Sequence, residues 1–454
     1  MDAKLRTHSR FDVRAFPDGF AWGLSSAAYP TEGATGRGGC SWDAFSRIHG
    51  TIRDGNTGEI ACDHYHRWEA DLDLLASLKV GVYRLSVSWP RLQPDGRGEL
   101  NADAVSFYRK VLAGLRARGI EPYVTLYHWD LPAALEAGGG WTERETARCF
   151  AEYAGRTVAA LGDLATHWIT LNEPWSSAFL GYGYGTHAPG RTDLTAAVAA
   201  AHHLALAHGL ATMAIREAAP AAKVGITNTV TDVTAAGDSA ADRAAAERLD
   251  AVLNRMFLAP IYRGRHDPLT LDCVDPMGLW ALMRTGDLEI MSTPTDFAGI
   301  SHGHPVIARH DPAAPFEAGR QPAPEGAPAR LHQVLTRIAT NFTRLPLYVT
   351  ESGAGYHGGV SPAGQTHDPE RVHHLSGAFT AAAHTLSDGV DLRGYFVWSF
   401  MDNFEWAEGY SKRLGVVYVD HRTQQRVPRL SAHWYRDLIV AHGNVQDLDS
   451  APAA

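Results

Sequence analysis

Apolar residues follow two alternating rhythms along this chain. Short runs of β-branched and aromatic residues are separated by longer segments in which apolar positions return every three or four residues. Trp68, Leu72 and Leu75 stand at i, i+4 and i+7, Gly81 follows as a stop signal, and residues 82–89 (VYRLSVSW) are extended in pattern. Tyr108, Leu112 and Leu115 share a helix face that Gly119 ends, and residues 122–129 read as a strand. Another helical stretch ends near Gly162, followed by an extended run at 167–171. Further strands are predicted at 20–28, 223–229, 296–301, 346–350 and 392–400.

Eight strands interleaved with helices require parallel pairing, because each return to the same edge of the sheet needs a crossover. Eight is also the number that closes a sheet into a barrel. The expected fold class is therefore α/β, a single (β/α)8 TIM barrel with long βα loops. It would span residues 1–454 as one domain, with an ordered barrel over about 11–445 and short flexible tails. An open dinucleotide-binding sheet is disfavoured, since no G-x-G-x-x-G follows the first strand. Residues 311–328, rich in Pro, Ala and Gly, read as a long loop after strand six, and the Ala-rich residues 235–246 as an exposed helix. The pairs His202-His203 and His373-His374 read as helix-surface residues.

Composition narrows the function classes. A net charge of −9 without any basic run leaves no footprint for nucleic acid. Cys40, Cys62, Cys149 and Cys273 make neither a C-x-x-C pair nor a disulfide framework. No stretch approaches about 18 uninterrupted apolar residues, so no membrane partner is expected. Residues 1–10 are polar and charged rather than a leader, and a reducing cytoplasm is the expected location.

Active-site groups of such a barrel come from the C-terminal ends of its strands. The polar and aromatic residues there are Glu32 after strand one, Arg84 and Trp89 at strand two, and His128, Trp129 and Asp130 after strand three. Asn172-Glu173-Pro174 closes strand four, Glu351-Ser352-Gly353 closes strand seven, and strand eight leads into Trp398, Glu405 and Trp406. Two glutamates, an arginine, a histidine and several indoles converging on one mouth suit a sugar. Carboxyls act on the glycosidic bond, amides and imidazoles hold hydroxyls, and indole faces cover the apolar side of the ring. The chemistry needs one carboxyl kept protonated and one ionised. A separation of about 5–5.5 Å between them gives retention of configuration through a covalent intermediate.

Each residue also has a plainer reading. Asn-Glu-Pro could be a capped turn, Arg84 a partner for any buried acid, Trp398 and Trp406 core aromatics, and Glu405 a solvated loop charge. Their convergence on one barrel face favours the site.

From Phe20-Ala-Trp-Gly23 to Trp434-Tyr435 the chain resembles glycoside hydrolase family 1, the β-glucosidase family. The matching stretches include Tyr29-x-x-Glu32-Gly33, Tyr83-Arg84-x-Ser-x-Ser-Trp-Pro-Arg91, Tyr127-His-Trp-Asp-Leu-Pro132 and Thr170-Leu-Asn-Glu-Pro174. His187-Ala-Pro-Gly190, Thr350-Glu-Ser-Gly353 and Trp398-Ser-Phe-Met-Asp-Asn-Phe-Glu-Trp-Ala407 follow in order. The resemblance implies a retaining β-glycosidase acting on a small β-glycoside or oligosaccharide, without cofactor or metal. Glu173 then resembles the acid/base, Glu351 the nucleophile, and Arg84 the group that keeps the nucleophile ionised. Asn172 corresponds to the ligand of the sugar 2-hydroxyl, and His128 and Trp406 to partners of the 3-hydroxyl. Glu405 corresponds to the ligand of the 4- and 6-hydroxyls and Trp398 to the stacking floor, with Trp129 lining the same pocket. His302-x-His304 near His128 has the residue type for a metal, but the chemistry needs none.

Several positions depart from the family's pattern. Pro30 stands where the family has a Gln that shares the 3- and 4-hydroxyls, and Gly303 where it has the tyrosine that touches the nucleophile. Ser301 and His302 replace Asn and Tyr, and His304 follows as a candidate sugar contact. Ser352 replaces Asn, and Leu414 replaces Phe. The stretch Ala318-Gly319-Arg320 aligns with the family's M-G-W, so Arg320 would face an acidic aglycone, with a solvated loop arginine as the plainer reading. These changes point to a glycone other than plain glucose, such as a deoxy, amino-substituted or larger sugar. A transglycosidase using the same two glutamates is the alternative activity, and an inactive sugar-binding homologue is a third reading.

Overall fold

The computed structural model describes residues 12–303, 305–311, 321–322, 329–356, 359, 361 and 366–450. Eight parallel strands close into a barrel: β1 Ala21–Ser25, β2 Val82–Ser86, β3 Glu121–Tyr127, β4 His167–Asn172, β5 Lys223–Val230, β6 Phe297–His302, β7 Leu347–Ser352 and β8 Leu392–Trp398. β1 pairs with both β2 and β8, completing the ring. Every predicted strand is present. Strand one stops at Ser25 because a helical turn, Ala28–Glu32, follows at once.

Helices α1 His64–Ser77, α2 Ala102–Ala117, α3 Arg144–Leu161, α4 Leu194–Ala218, α5 Ala240–Asp250, α6 Ala329–Asn341, α7 Pro369–Ser387 and α8 Leu430–Ser450 follow the strands in turn. Polar residues mark several starts: Asn101 accepts from the Asp103 and Ala104 amides, Asp193 from those of Thr195 and Ala196, and Ser239 from that of Asp242. In α1 and α2 the predicted apolar faces are the ones buried, with Leu72, Leu75, Tyr108, Leu112 and Leu115 in the core.

Three expectations are corrected. His202 and His203 do not lie on the surface. They are 1% and 4% exposed within α4, a helix long and apolar enough to cross a membrane by length and composition, yet mostly buried inside the fold. His202 Nε2 pairs with Asp287 at 2.9 Å, and His203 Nδ1 meets the Trp141 carbonyl at 3.0 Å, which gives each ring one polar partner in the core. The Ala-rich segment becomes helical only at Ala240, because Val233–Ala235 is drawn into a small sheet with Val306–Ala308. Within the expected long loop, Gln321–Pro322 pairs antiparallel with Val306–Ala308, so that stretch is not loop throughout. His373 is exposed and His374 half-buried, as read from the sequence.

The barrel interior is layered. An apolar plug of Val82, Tyr123, Ile169, Phe297, Tyr348 and Phe396 fills the bottom. Above it lies a polar layer in which Thr227 Oγ1 meets Thr350 Oγ1 at 3.0 Å and Arg84 Nε donates to Thr125 Oγ1 at 3.0 Å. Pairing slips out of register between Ile169 and Asn172 on β4 and between Val349 and Glu351 on β7. Such bulges re-aim side chains at the rims of barrels. Here they occur on the two strands that carry the candidate carboxyls.

Candidate active site

Arg84 organises the floor of the mouth. Its side chain is fully buried, and it donates through Nη1 to Glu351 Oε1 and through Nη2 to Asn172 Oδ1, the latter at 2.7 Å. Because Asn172 Oδ1 accepts from Arg84, its amide nitrogen faces His128 Nε2 at 2.9 Å as the donor. That hydrogen bond assigns the His128 proton to Nδ1, which lies 4.0 Å from Glu351 Oε1. Burial, with Arg84 nearby, pushes His128 well below its ordinary range, so the ring is neutral.

Glu173 follows β4 with its backbone in the left-handed region at φ 44°, and its amide donates to the Thr227 carbonyl on β5 at 2.8 Å. Trp129 and Trp406 share that unusual backbone, at φ 77° and 53°. Three candidate site residues thus adopt a conformation that non-glycine residues rarely take. The Glu173 carboxyl accepts from Ser176 Oγ at 2.8 Å on one oxygen and from Ser301 Oγ on the other. Burial raises Glu173, against both serines and Arg84. Burial also raises Glu351, with Arg84 opposing and the Glu173 and Glu405 charges adding to the rise. Neighbouring desolvated carboxyls do not ionise together cheaply. The guanidinium bonds Glu351 and not Glu173, which favours the anion on Glu351 and the proton on Glu173.

An aromatic wall completes the mouth. Trp398 and Trp406 are 7% and 4% exposed and belong to one buried cluster with Tyr29, Trp42, Phe404 and Leu414. Trp406 lies 4.6 Å from Trp129 and stacks on His128 at 5.6 Å between centroids, and Trp398 stacks on the other partner of that pair, His128, at 5.6 Å. These indoles are core aromatics, and they pack against His128 and Trp129 at the barrel mouth. Trp129 is half-buried and donates Nε1–H to the Asn172 carbonyl at 3.0 Å. Burial pushes the half-buried Glu405 up to about 7, against Lys412, the Trp398 indole and Asn403.

The structure thus brings together Arg84, His128, Trp129, Asn172, Glu173, Glu351, Trp398, Glu405 and Trp406. Glu32 does not join them. It is taken by Arg91 at 2.8 Å and Tyr108 at 3.0 Å behind the strands, where it serves packing. His304 and Arg320 lie outside the described residues. Sequence reasoning missed Ser176, whose spacing of three from Glu173 was the available signal, and treated Ser301 only as a departure.

The family model described as Glycosyl hydrolase family 1 matches residues 13–444. The chain belongs to that family. It is 38% identical to "Beta-glucosidase A" of Thermotoga maritima over 95% of this chain and 99% of the relative. It is 39% identical to the "Bifunctional beta-D-glucosidase/beta-D-fucosidase" of Bifidobacterium breve over 94% and 98%. The solved family 1 b-glucosidase from Thermotoga maritima in complex with isofagomine lactam superposes with a TM-score of 0.90 at 37% identity, covering 94% of this chain and 99% of that one.

For a family 1 glycoside hydrolase, this pocket departs in concrete ways. Pro30 is buried in the turn Ala28–Glu32, and its carbonyl accepts from the Phe404 amide at 3.1 Å, so the position offers a sugar no side-chain donor. Gly303 donates to the Val230 carbonyl at 3.0 Å, and a Cβ there would stand 2.7 Å from Thr231 Oγ1. The strand end is therefore packed for a residue without a side chain. Leu414 is buried beside Trp398 and Trp406.

Proposed function

We propose that the protein is a retaining β-glycosidase that cleaves a β-O-glycosidic bond by double displacement, with Glu351 as nucleophile and Glu173 as acid/base. The observation that carries this is the unequal treatment of two carboxyls at one barrel mouth, Glu351 buried and Glu173 half-buried. Glu351 is bonded to a guanidinium, while the Glu173 oxygens are bonded by the hydroxyls of Ser176 and Ser301. In the first step a Glu351 oxygen bonds to the anomeric carbon as the bond to the leaving oxygen breaks, and Glu173 gives that oxygen its proton. In the second step Glu173 takes a proton from water, the water oxygen bonds to the anomeric carbon, and Glu351 leaves as a carboxylate. The second N–H of the Asn172 amide and the Nδ1–H of His128 are the donors left for sugar hydroxyls. Trp398 forms the floor, Trp129 and Trp406 the wall, and Glu405 accepts hydroxyls at the far end.

The glycone follows from what the pocket lacks. Pro30 and Gly303 offer no side-chain hydrogen bonds, so a glycone with fewer or differently placed hydroxyls leaves fewer groups unpaired, at about 1–3 kcal/mol for each buried unmatched contact. A relative whose name includes fucosidase activity, and so a 6-deoxy glycone, supports this reading. The names of these relatives also favour water as the acceptor.

Treatment with a 2-deoxy-2-fluoro glycoside, followed by peptide mass analysis, is expected to place the sugar on Glu351. Proton NMR of early product is expected to show the β anomer first. Labelling elsewhere, or α-anomer product, defeats the assignment. Comparing kcat/KM for glucoside, fucoside and 2-amino glycosides tests the glycone, and a clear preference for glucoside overturns that part. Parallel reactions with candidate alcohols are expected to yield mainly free sugar.

A further inference from the structure

Among the described residues, most buried carboxyls are held by arginine. Asp250, Asp287, Asp368, Asp402 and Glu32 each bond a guanidinium, and so does Glu351. Glu173 is held differently. Ser301 Oγ bonds its Oε1 and Ser176 Oγ bonds its Oε2, so both oxygens face a neutral hydroxyl.

The backbone places the two serines from opposite sides. Ser301 is paired in register with Thr229 of β5 and with Glu351 of β7, so its backbone adjoins the nucleophile's strand while its side chain reaches Glu173. Ser176 opens a π-helical turn, Ser176–Gly183, and its amide also donates to the Glu173 carbonyl at 2.9 Å. Both serines are buried, at 6% and 5% exposure. At such depth a hydroxyl without a partner is unfavourable, whereas alanine would fill the same space at no polar penalty.

We propose that Ser176 and Ser301 are positioning residues for proton transfer, a hydroxyl pair that holds the Glu173 carboxyl in one orientation through both of its protonation states. This rests on the reading of Glu173 as acid/base. A guanidinium or amide N–H only donates and would hold Glu173 as an anion. A hydroxyl donates to the carboxylate and, by rotating, accepts from the protonated acid. Only the second kind of partner suits a group that gives a proton in one step and takes one in the next. Burial raises Glu173, and each serine lowers it again, which keeps the base form accessible for the water step.

The test measures Ser301→Ala, Ser176→Ala and Ser301→Thr beside Glu173→Gln, using pH profiles and burst kinetics. Ser301→Ala and Ser176→Ala are expected to move the basic limb of kcat/KM upward by about one pH unit. They should also slow turnover of a dinitrophenyl glycoside, which the water step limits, roughly tenfold more than its burst. Ser301→Thr is expected to restore both. Basic limb and burst-to-turnover ratio unchanged in both alanine variants overturn the proposal while leaving Glu173 as acid/base. If Ser301→Ala does not fold, Ser176→Ala decides by the same two readings. Glu173→Gln that still hydrolyses alkyl glycosides like the parent overturns the acid/base reading itself, and the serine proposal with it.

Discussion

Arg84 Nη2 donates to Asn172 Oδ1 at 2.7 Å, joining the middle of β2 to the end of β4 across the barrel interior. The same guanidinium reaches Glu351 and Thr125, so one side chain orients the Glu351 carboxyl, the Asn172 amide and, through that amide, the His128 tautomer. Arg84→Met would leave Glu351 buried without its counter-ion. Removing one partner of a buried pair costs about 3–5 kcal/mol, so kcat/KM at neutral pH is expected to fall by two to three orders of magnitude, about 10²–10³. The acidic limb should move to higher pH, because Arg84 lowers Glu351. An acidic limb that stays in place would refute this role for Arg84.

Glu173→Gln separates the two carboxyls. A charged Glu173 would raise Glu351, but with the proton on Glu173 a neutral amide there removes no charge. With a dinitrophenyl glycoside, which needs no acid, the burst rate is expected to keep its acidic limb and lose its basic limb. With an alkyl glycoside the rate should fall by about 10²–10⁴. A shift of the acidic limb toward lower pH would contradict the placement of the two charges.

Asp130 gives a stability test away from the chemistry. It is fully buried, and burial pushes its carboxyl up to about 7 against the pull of Ser88 and Arg37. In the unfolded chain an aspartate titrates near its ordinary value of about 3.9. Between these two values the folded protein binds the extra proton, so stability falls as pH rises through that window and the full penalty applies above pH 7. The upper bound is on the order of 4 kcal/mol. Asp130→Asn removes the titration, and its Tm relative to the parent is expected to be higher at pH 8 than at pH 5. An offset independent of pH would show that Asp130 is not neutral in the folded state at pH 5.

Gly353 follows β7, the strand that carries Glu351, and a Cβ there would come within 1.9 Å of the Trp398 carbonyl oxygen. Both are backbone-anchored, so neither yields without moving a strand end. Gly353→Ala is expected to destabilise the protein by about 2–3 kcal/mol and to raise KM by displacing the Trp398 indole. An unchanged melting temperature together with an unchanged KM would show that the two strand ends move apart freely.

Much of this was legible in one dimension. Hydrophobic periodicity set the number, order and type of the barrel elements, because burying a strand between barrel interior and helix ring leaves a strong local pattern. Arg84, Glu173 and Glu351 could be nominated because strand ends are where a barrel exposes its chemistry. Glu32 was placed with them on the same rule and does not belong, since only its neighbours Arg91 and Tyr108, distant in sequence, turn it away.

What the linear order of residues determined is the barrel, its direction and the chemical types at its mouth, all properties of local period and spacing. Tertiary structure alone decided which nitrogen of His128 keeps its proton and that the Ser301 hydroxyl reaches Glu173. Those outcomes depend on strand bulges and on contacts between residues 44 to 128 positions apart, which no local pattern encodes.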